Sequence, residues 1–253
     1  MPQSARRGEK INLERCGRAV PRASSDIYAA GGKSNSQRVF MTLTVAACAG
    51  GAWWVLFGHV IPWTAARTGR DLLLGDENRR LCLGVALTIY FVRLLFTQFV
   101  FLKRAVGWSE AAAVGTWILS IYIVLAFAGA TNAAPFTVGT GAGCLLFLLG
   151  SWTNSYAEYD RHIWKQRPEN RGRLYTERLF RYARHLNYLG DLISFSGLCM
   201  IAGRWWTFAI PLIMLAGFVF VNIPMLDSHL RDHYGAAFDR YAGRTRKLIP
   251  FVY

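Results

Sequence analysis

Polar side chains interrupt an apolar stretch that is long enough to be a membrane span. Arg93 ends the run Leu-Thr-Ile-Tyr-Phe-Val-Arg at residues 87–93, and a charge at that depth is rare and usually functional. Tyr90 lies three residues earlier, and Arg104 lies eleven residues later, about three helical turns. The spacing predicts one helical stripe with a phenol and two guanidinium groups. A structural alternative is that Arg93 pairs with a carboxylate or extends to the membrane surface.

A second polar cluster closes a later apolar stretch. Asn154, Glu158, Arg161 and Lys165 follow an i, i+4, i+7, i+11 spacing, which predicts that they share one helical face. An arginine-rich segment follows, and the planar arginine fork suits bidentate recognition of phosphate. Its members are Arg167, Arg171, Arg173, Tyr175, Arg178, Arg181 and Arg184. The alternatives are a solvated helix end and charge that serves membrane topology alone.

The third cluster opens another apolar segment. Residues 184–191 read Arg-His-Leu-Asn-Tyr-Leu-Gly-Asp, so a cation, an imidazole, an amide, a phenol and a carboxylate lie side by side. This mixture predicts the floor of a ligand site. The tail adds a further helical stripe of Asp227, Arg231, Tyr234, Phe238 and Tyr241. That stripe could equally be an amphipathic helix on the membrane surface, next to anionic headgroups.

Composition identifies the kind of protein that carries these clusters. The 253 residues are 53% hydrophobic and only 17% charged, against roughly 25% charged in soluble domains. That excludes a disordered chain and indicates an integral membrane protein in contact with the lipid bilayer. The Lys and Arg residues behind the net charge of +14 lie between the apolar segments. Positive charge in such loops sets membrane topology, so it does not indicate a nucleic-acid partner.

The apolar segments predict an all-α polytopic helical bundle with about six, at most seven, transmembrane helices. The expected spans are 39–63, 81–102, 111–130, 135–156, 188–203 and 205–226. Residues 1–38 are interpreted as a disordered basic arm and 39–253 as one membrane domain. With six spans, one side carries 23 of the 29 Lys and Arg residues and the other carries 5. This predicts cytoplasmic termini, in a bacterial inner membrane or in the endoplasmic reticulum of a eukaryote.

Several common cofactor and catalytic motifs are missing. No Gly-x-Gly-x-x-Gly follows a strand pattern, and neither Gly-x-Ser-x-Gly nor His-Glu-x-x-His occurs. The five cysteines are more than thirty residues apart and have no metal-ligand spacing, so we predict no metal site. Gly139, Gly141 and Gly143 form a Gly-x-Gly-x-Gly within an apolar stretch, which predicts a close-packing helix face.

Four segments carry a family resemblance. Residues 179–191, Leu-Phe-Arg-Tyr-Ala-Arg-His-Leu-Asn-Tyr-Leu-Gly-Asp, resemble a signature of steroid 5α-reductases, sterol C14- and C7-reductases and bacterial DUF1295 proteins. The tail, from the Tyr-Gly at 234–235 to Leu-Ile-Pro-Phe-Val-Tyr at 248–253, resembles how these reductases end. Asn-Ser-Tyr-Ala-Glu at 154–158 and Gly-Arg-Leu-Tyr-Thr-Glu at 172–177 favour the DUF1295 group. The resemblance covers residues 80–253.

The resemblance implies a multi-span helical membrane enzyme that uses NADPH to reduce an activated carbon–carbon double bond in a lipophilic steroid-, sterol- or isoprenoid-like molecule. Tyr90 matches the catalytic tyrosine and would donate to the substrate carbonyl oxygen as negative charge builds there. The residues expected to hold the cofactor are Arg93, Arg104, Asn154, Glu158, Lys165, Tyr175, Arg184, His185, Asn187, Tyr188, Asp191 and Tyr234.

The sequence also departs from this pattern. Residues 39–70 contain no Asp or Glu, whereas 5α-reductases use a glutamate in their first helical region, so recognition of a steroid 3-ketone is not implied. Leu186 replaces a proline common in sterol reductases. Two alternatives stay open: a methyltransferase of the isoprenylcysteine carboxyl type, which uses the phosphate-free S-adenosylmethionine, and a non-enzymatic membrane scaffold. The arginine-rich segments favour NADPH.

Overall fold

The structure is a computed structural model that describes residues 34–70, 72 and 74–253. Residues 1–33, most of the predicted basic arm, lie outside the described residues. The first described helix begins at Asn35, four residues before the predicted boundary of the membrane domain. Arg38 belongs to this helix, and its guanidinium donates to the carbonyls of Gln98 and Leu102. Those contacts fix the part of the predicted arm that the structure describes.

The described chain is helical throughout, which confirms the all-α class. The main helices are α1 (Asn35–Phe57), α2 (Val60–Thr68), α3 (Glu77–Phe96), α4 (Trp108–Ala130), α5 (Val138–Gln166), α6 (Leu186–Ala202), α7 (Ala209–Gly217), α8 (Ile223–Tyr234) and α9 (Ala236–Ala242). A π-helical turn, Thr97–Phe101, extends α3, and a second one, Phe218–Asn222, joins α7 to α8. Short 3₁₀ turns occupy Pro168–Asn170, Arg178–Arg181 and Trp205–Phe208.

Four of the described helices are long and apolar enough to cross a membrane. They are Asn35–Phe57, Glu77–Phe101, Trp108–Ala130 and Trp205–Tyr234, and each contains most of a predicted span. The predicted span 135–156 falls in the 29-residue α5, whose second half is polar. The predicted span 188–203 falls in α6, which has 17 residues. The structure therefore agrees with a polytopic helical membrane protein, in which α5 and α6 pack with these four apolar segments.

Helices α5 and α6 approach each other through glycines. A Cβ atom on Gly143 would lie 2.9 Å from the carbonyl oxygen of Gly197, and one on Gly190 would lie 2.8 Å from that of Gly150. No side chain fits at those distances, so the two backbones touch over three turns. Of the three glycines predicted to form a packing face, Gly143 does so. A Cβ at Gly139 would lie 3.5 Å from the hydroxyl oxygen of Thr137, and one at Gly141 would lie 3.8 Å from the ring of Phe136. Both contacts are with the residues just before α5 and not with another helix.

Buried arginines hold the helices together at the end of the fold where α1 and α6 terminate. Arg79 donates from Nη1 to the carbonyl of Ile201, near the end of α6, at 2.7 Å. Arg80 donates from Nη1 to Leu56, near the end of α1, also at 2.7 Å. Helix C-termini expose carbonyls that lack intrahelical partners and carry partial negative charge. An arginine side chain supplies both hydrogen-bond donors for these carbonyls and a positive charge to face them, which explains how two adjacent guanidinium groups are buried here.

The end of α3 contradicts one sequence prediction. A stripe through Arg93 and Arg104 required regular helix over eleven residues. Instead, the π-helical turn changes the period after Phe96, and the helix ends at Phe101. Arg104 lies in the following loop and pairs with Glu110, in the first turn of α4. It therefore does not share the face that carries Arg93.

The glycine contacts give a stability prediction. Gly190→Ala places a methyl group 2.6 Å from the backbone nitrogen of Asn154, and such overpacking typically lowers the free energy of unfolding by about 1–3 kcal/mol. We expect a lower midpoint in thermal unfolding of the detergent-solubilised protein. Gly50→Ala is the matched control, because nothing lies within 4 Å of its Cβ position. Equal midpoints for the two variants would show that the close approach does not limit stability.

Candidate functional site

The innermost part of the site is an ion pair between two helices. Arg93 of α3 donates from Nη2 to Oδ1 of Asp191 on α6 at 2.7 Å, with the arginine side chain 8% exposed and the aspartate 22%. The guanidinium carbon also lies 4.9 Å from the ring centre of Tyr90. The predicted shared face of Tyr90 and Arg93 is confirmed. The other terminal nitrogen of Arg93, Nη1, is buried and has no hydrogen-bond partner among the described residues.

Aromatic rings enclose Tyr90 on the side away from this ion pair. Its ring centre is 5.1 Å from that of Phe195 in an edge-on contact, and 6.3 Å from that of Tyr122. The hydroxyl of Tyr122 donates to the carbonyl of Leu87 at 2.8 Å, so its ring is fixed. An apolar cavity of about 460 Å³ lies between α1 and α4, and Tyr122 forms part of its wall.

A network of amides and a carboxylate joins α5 to the start of α6. Asn154 donates from its side-chain amide to the backbone carbonyl of Asn187 at 2.9 Å, and Asn187 donates from its own amide to Oε1 of Glu158 at 3.0 Å. Arg161 donates to the other oxygen of Glu158 at 2.6 Å. Asn187 lies one turn before Asp191 on α6. The network therefore continues from the Arg93–Asp191 ion pair toward the polar end of α5.

Lys165, near the end of α5, forms the outer part of the site. Its ammonium group donates to the Tyr234 hydroxyl at 2.8 Å and also to the backbone carbonyl of Arg173. It thus connects three segments: α5, the loop after it and α8. The predicted face of Asn154, Glu158 and Lys165 is continuous, because α5 stays helical to Gln166.

Tyr175 packs beside the site, between the end of α5 and the loop that follows it. Its ring is buried against Phe180 and Trp164, and its hydroxyl donates to the carboxylate of Asp160. Burial, reinforced by that hydrogen bond, raises the pKa of the Tyr175 phenol. The same carboxylate lies 3.4 Å from Nε of Arg178. Tyr175 therefore fixes the loop after α5 to the helix itself.

Arg184 and His185 hold the C-terminal tail. Arg184 Nη2 lies 2.9 Å from Oδ2 of Asp227 on α8, and His185 Nε2 donates to Oδ1 of the same carboxylate at 2.9 Å. Their backbone N–H groups donate to the carbonyls of Arg246 and Lys247 in the tail. Tyr188 stacks between the rings of His185 and Phe218. Arg184 and His185 therefore make internal contacts that position the tail, while Tyr188 packs against the π-helical turn that joins α7 to α8.

The structure does not join all predicted site residues in one place. Arg104 lies with Glu110, apart from the Arg93–Asp191 ion pair. The predicted stripe from Asp227 to Tyr241 is broken, because Gly235 adopts a positive φ of 51° between α8 and α9. Beyond this break, Phe238 and Tyr241 are buried in the fold, so this segment is not an amphipathic helix that presents one stripe to a membrane.

Sequence reasoning missed the role of Asp227 and did not single out Gln98. The sequence predicts Asp227 as one member of a helical stripe, whereas in the structure it accepts from both Arg184 and His185; its signal is a carboxylate next to an apolar span. Gln98 is buried in the π-helical turn after α3, and its Nε2 has no hydrogen-bond partner among the described residues. An amide within an apolar segment was the signal for Gln98.

The tail contacts give a second prediction. Asp227→Asn removes the negative charge that the buried Arg184 guanidinium and the His185 ring face, and breaking a buried ion pair typically lowers the free energy of unfolding by about 3 kcal/mol. We expect faster proteolysis after residue 235 and a lower thermal midpoint. Asp232→Asn on the same helix is the control, because Asp232 is exposed. If both variants behave alike, the Asp227 contacts do not hold the tail.

Comparison with known proteins gives relatives of two activities. The chain is 27% identical over 172 residues to the probable O-methyltransferase UstE of Ustilaginoidea virens, covering 60% of the chain and 61% of that protein. It is 24% identical over 145 residues to the human 3-oxo-5-alpha-steroid 4-dehydrogenase 2, covering 57% of the chain and 55% of the relative. The chain thus spans between half and two thirds of the length of these curated relatives.

A family profile covers the part of the chain that forms the site. It is described as a protein of unknown function (DUF1295), and it matches residues 90–245. The matched range begins at Tyr90 and includes the Arg93–Asp191 ion pair, the network around Asn187 and the tail contacts of Asp227. This is more than half of the chain and contains the resembling segments at 154–158, 172–177 and 179–191 and the first part of the tail. The chain belongs to the DUF1295 family.

Proposed function

We propose that this chain is a membrane-embedded reductase that uses NADPH to reduce a carbon–carbon double bond in a lipophilic substrate. The observation that carries the proposal is the buried Arg93–Asp191 ion pair beneath the Tyr90 ring, with Arg93 Nη1 lacking a partner among the described residues. A buried unpaired guanidinium nitrogen is costly unless a ligand accepts its hydrogen bond. An anionic or carbonyl oxygen in contact with Arg93 would satisfy it.

The polar residues that follow fit an elongated, charged cofactor. From Asn154 to Lys165 they extend eleven residues along α5, about 16 Å at the helical rise. The row presents amides, a carboxylate, an ammonium group and a phenol, which match the amide, hydroxyl and phosphate groups of a dinucleotide. We assign cofactor contact to Arg93, Asn154, Glu158, Lys165, Asn187, Asp191 and Tyr234. Bound there, NADPH would supply a hydride.

The other predicted cofactor residues receive a supporting role in this proposal. Tyr175 fixes the loop after α5 through Asp160, and Arg184 and His185 fix the tail through Asp227, while Tyr188 stacks on His185 and Phe218. Arg104, in the loop between α3 and α4, stays a candidate for contact with the cofactor phosphates. Cofactor affinity would then depend on these residues through the positions of the loop and the tail.

Tyr90 is the proposed hydrogen-bond donor to the substrate. Its hydroxyl would donate to a substrate carbonyl oxygen, where negative charge builds as the double bond accepts hydride. The adjacent Arg93 guanidinium would stabilise that charge, and Asp191 would hold the guanidinium against the Tyr90 ring. The rings of Phe195 and Tyr122 keep water from the phenol, which strengthens both interactions.

A lipophilic substrate agrees with the surroundings of Tyr90. The apolar cavity between α1 and α4 has a volume of about 460 Å³, within the range of small-molecule sites. Its wall includes Tyr122, whose ring neighbours that of Tyr90. One similar protein is named for a 3-oxo-5-alpha-steroid, yet residues 39–70 offer no acidic side chain for that ketone. We therefore propose an enone of steroid, sterol or isoprenoid type.

Topology supports access of a soluble cofactor to the polar end of α5. The arginine-rich loop at 157–187 and the basic tail lie on the side that the charge distribution predicts to be cytoplasmic. Both contribute to the outer part of the site through Lys165 and Tyr234. We propose cytoplasmic termini on this basis.

The second candidate is an S-adenosylmethionine-dependent methyltransferase that acts on a lipophilic substrate. The similarity to a probable O-methyltransferase over 172 residues favours it. The same buried polar row could hold the amino-acid carboxylate and the ribose of S-adenosylmethionine. That cofactor has no phosphate, however, so it offers the arginine-rich loop no group for bidentate recognition, which favours NADPH.

Direct titration of the purified, detergent-solubilised protein with NADPH, NADH and S-adenosylmethionine tests the choice. We expect NADPH to bind and Asn187→Ala to weaken it about tenfold or more, because the amide contact with Glu158 is lost. Asn35→Ala, an exposed asparagine at the start of α1, is the control. Binding of S-adenosylmethionine without NADPH would replace the reductase by the methyltransferase, and binding of neither would favour a scaffold.

Tyr90→Phe tests the catalytic assignment. NADPH oxidation would be followed with a panel of steroid and polyprenoid enones. Removing the hydroxyl should lower kcat about 100-fold or more, because the hydrogen bond to the developing charge is lost, while NADPH affinity stays within twofold. Tyr159→Phe, at an exposed phenol on α5, is the control. A full rate in Tyr90→Phe would remove Tyr90 from the chemistry.

A further inference from the structure

A second, polar cavity lies at the outer end of α5, between the loop after that helix and the tail. Its volume is about 510 Å³, and its walls come from Gly172, Arg173, Leu174, Thr176, His233, Tyr234, Ala237, Arg240, Tyr241 and Arg244. Three arginines thus line one cavity, from segments about sixty residues apart. No Asp or Glu occurs among these lining residues, so its walls carry a strong positive charge.

The three guanidinium groups are not committed to ion pairs within the described chain. The ion pairs of this region join Arg231 to Asp239 and Arg178 to Asp160, and neither pair includes a cavity arginine. Among the residues that the structure describes, the one hydrogen bond from these three side chains runs from Arg244 Nε to the carbonyl of Arg240 at 3.3 Å. Their terminal nitrogens are therefore available to a ligand.

The loop that carries Arg173 is held in place. Its carbonyl accepts from Lys165, and the buried Asn170 donates to the carbonyl of Trp164 at 2.9 Å. Opposite the loop, the Tyr241 hydroxyl donates to the carbonyl of Phe180 at 2.6 Å. Both walls are thus fixed by contacts that do not use the arginine side chains. An anion bound between these like-charged groups would offset their mutual repulsion.

We propose that this arginine cavity is a binding site for a phosphomonoester dianion. Arginine forks bind phosphate oxygens in pairs, and three forks around one cavity match the three terminal oxygens of a phosphomonoester. The cavity shares Tyr234 with the proposed cofactor row, at the end opposite Arg93. Resting on the proposed function, the anion is the adenosine 2′-phosphate of NADPH. Arg173, Arg240 and Arg244 then select NADPH over NADH.

The test compares 2′-AMP with adenosine, because they differ only in that phosphate. The purified full chain should bind 2′-AMP about tenfold tighter or more, and R240Q/R244Q should abolish the difference. These two side chains are exposed, so the variant should keep the wild-type thermal midpoint. R246Q is the matched control, since exposed Arg246 lies in the same tail but not on the cavity wall. Equal binding of 2′-AMP and adenosine, or equal effects of the two variants, would overturn the proposal.

Intact cofactors separate this proposal from the proposed function. NADPH should lose about tenfold or more in affinity for R240Q/R244Q, with NADH affinity unchanged. If NADPH binds both proteins equally, the reductase stands and the phosphate site falls. If neither NADPH nor NADH binds while 2′-AMP still binds through Arg240 and Arg244, the phosphate site stands and the reductase falls.

A lipid headgroup is the other source of a phosphomonoester. The NADPH titration is therefore repeated in nanodiscs of phosphatidylcholine with and without phosphatidic acid. A nucleotide site predicts NADPH binding that phosphatidic acid does not change. Competition that disappears in R240Q/R244Q would overturn the nucleotide assignment and give the cavity to the headgroup.

Discussion

The close contact between α5 and α6 is the constraint on which the rest of the site depends. Glycines at 143, 150, 190 and 197 let the two backbones touch, which is what brings the amide of Asn154 to the carbonyl of Asn187. Side chains at these positions would separate the helices, and both the Asn187–Glu158 bond and the position of Asp191 opposite Arg93 would be lost. The chemistry of the site thus rests on residues that have no side chain.

The tail is the second part of the chain that the site needs. Asp227 accepts from Arg184 and His185, which begin the segment that enters α6. The tail backbone meets that segment through one parallel bridge, between Ala183 and Arg246. As a result, the two walls of the arginine cavity and the start of α6 are connected by direct contacts. A ligand that orders the cavity would therefore also stabilise the polar start of α6.

Helical periodicity made the local part of the site predictable. Tyr90 with Arg93, and Asn154 with Glu158, share faces because α3 and α5 are regular over those residues. Arg104 could not be placed, since a π-helical turn and a helix end lie between it and Arg93. The role of Asp227 was also hidden, because its partners are more than forty residues away and no local pattern records such a contact. The all-α membrane class followed from composition, whereas the choice among reductase, methyltransferase and scaffold depends on ligands.

The arginines at the opposite end of the fold change how the charge of that end should be counted. Arg79, Arg80 and Arg204 all donate to backbone carbonyls, so three of the five cations that the sequence assigns to that side are bound to helix ends. The partial negative charge of those carbonyls offsets part of their charge within the fold. The surface that faces an anionic lipid leaflet or a soluble anion is thus less positive there than the sequence implies, and the contrast between the two ends of the molecule is sharper.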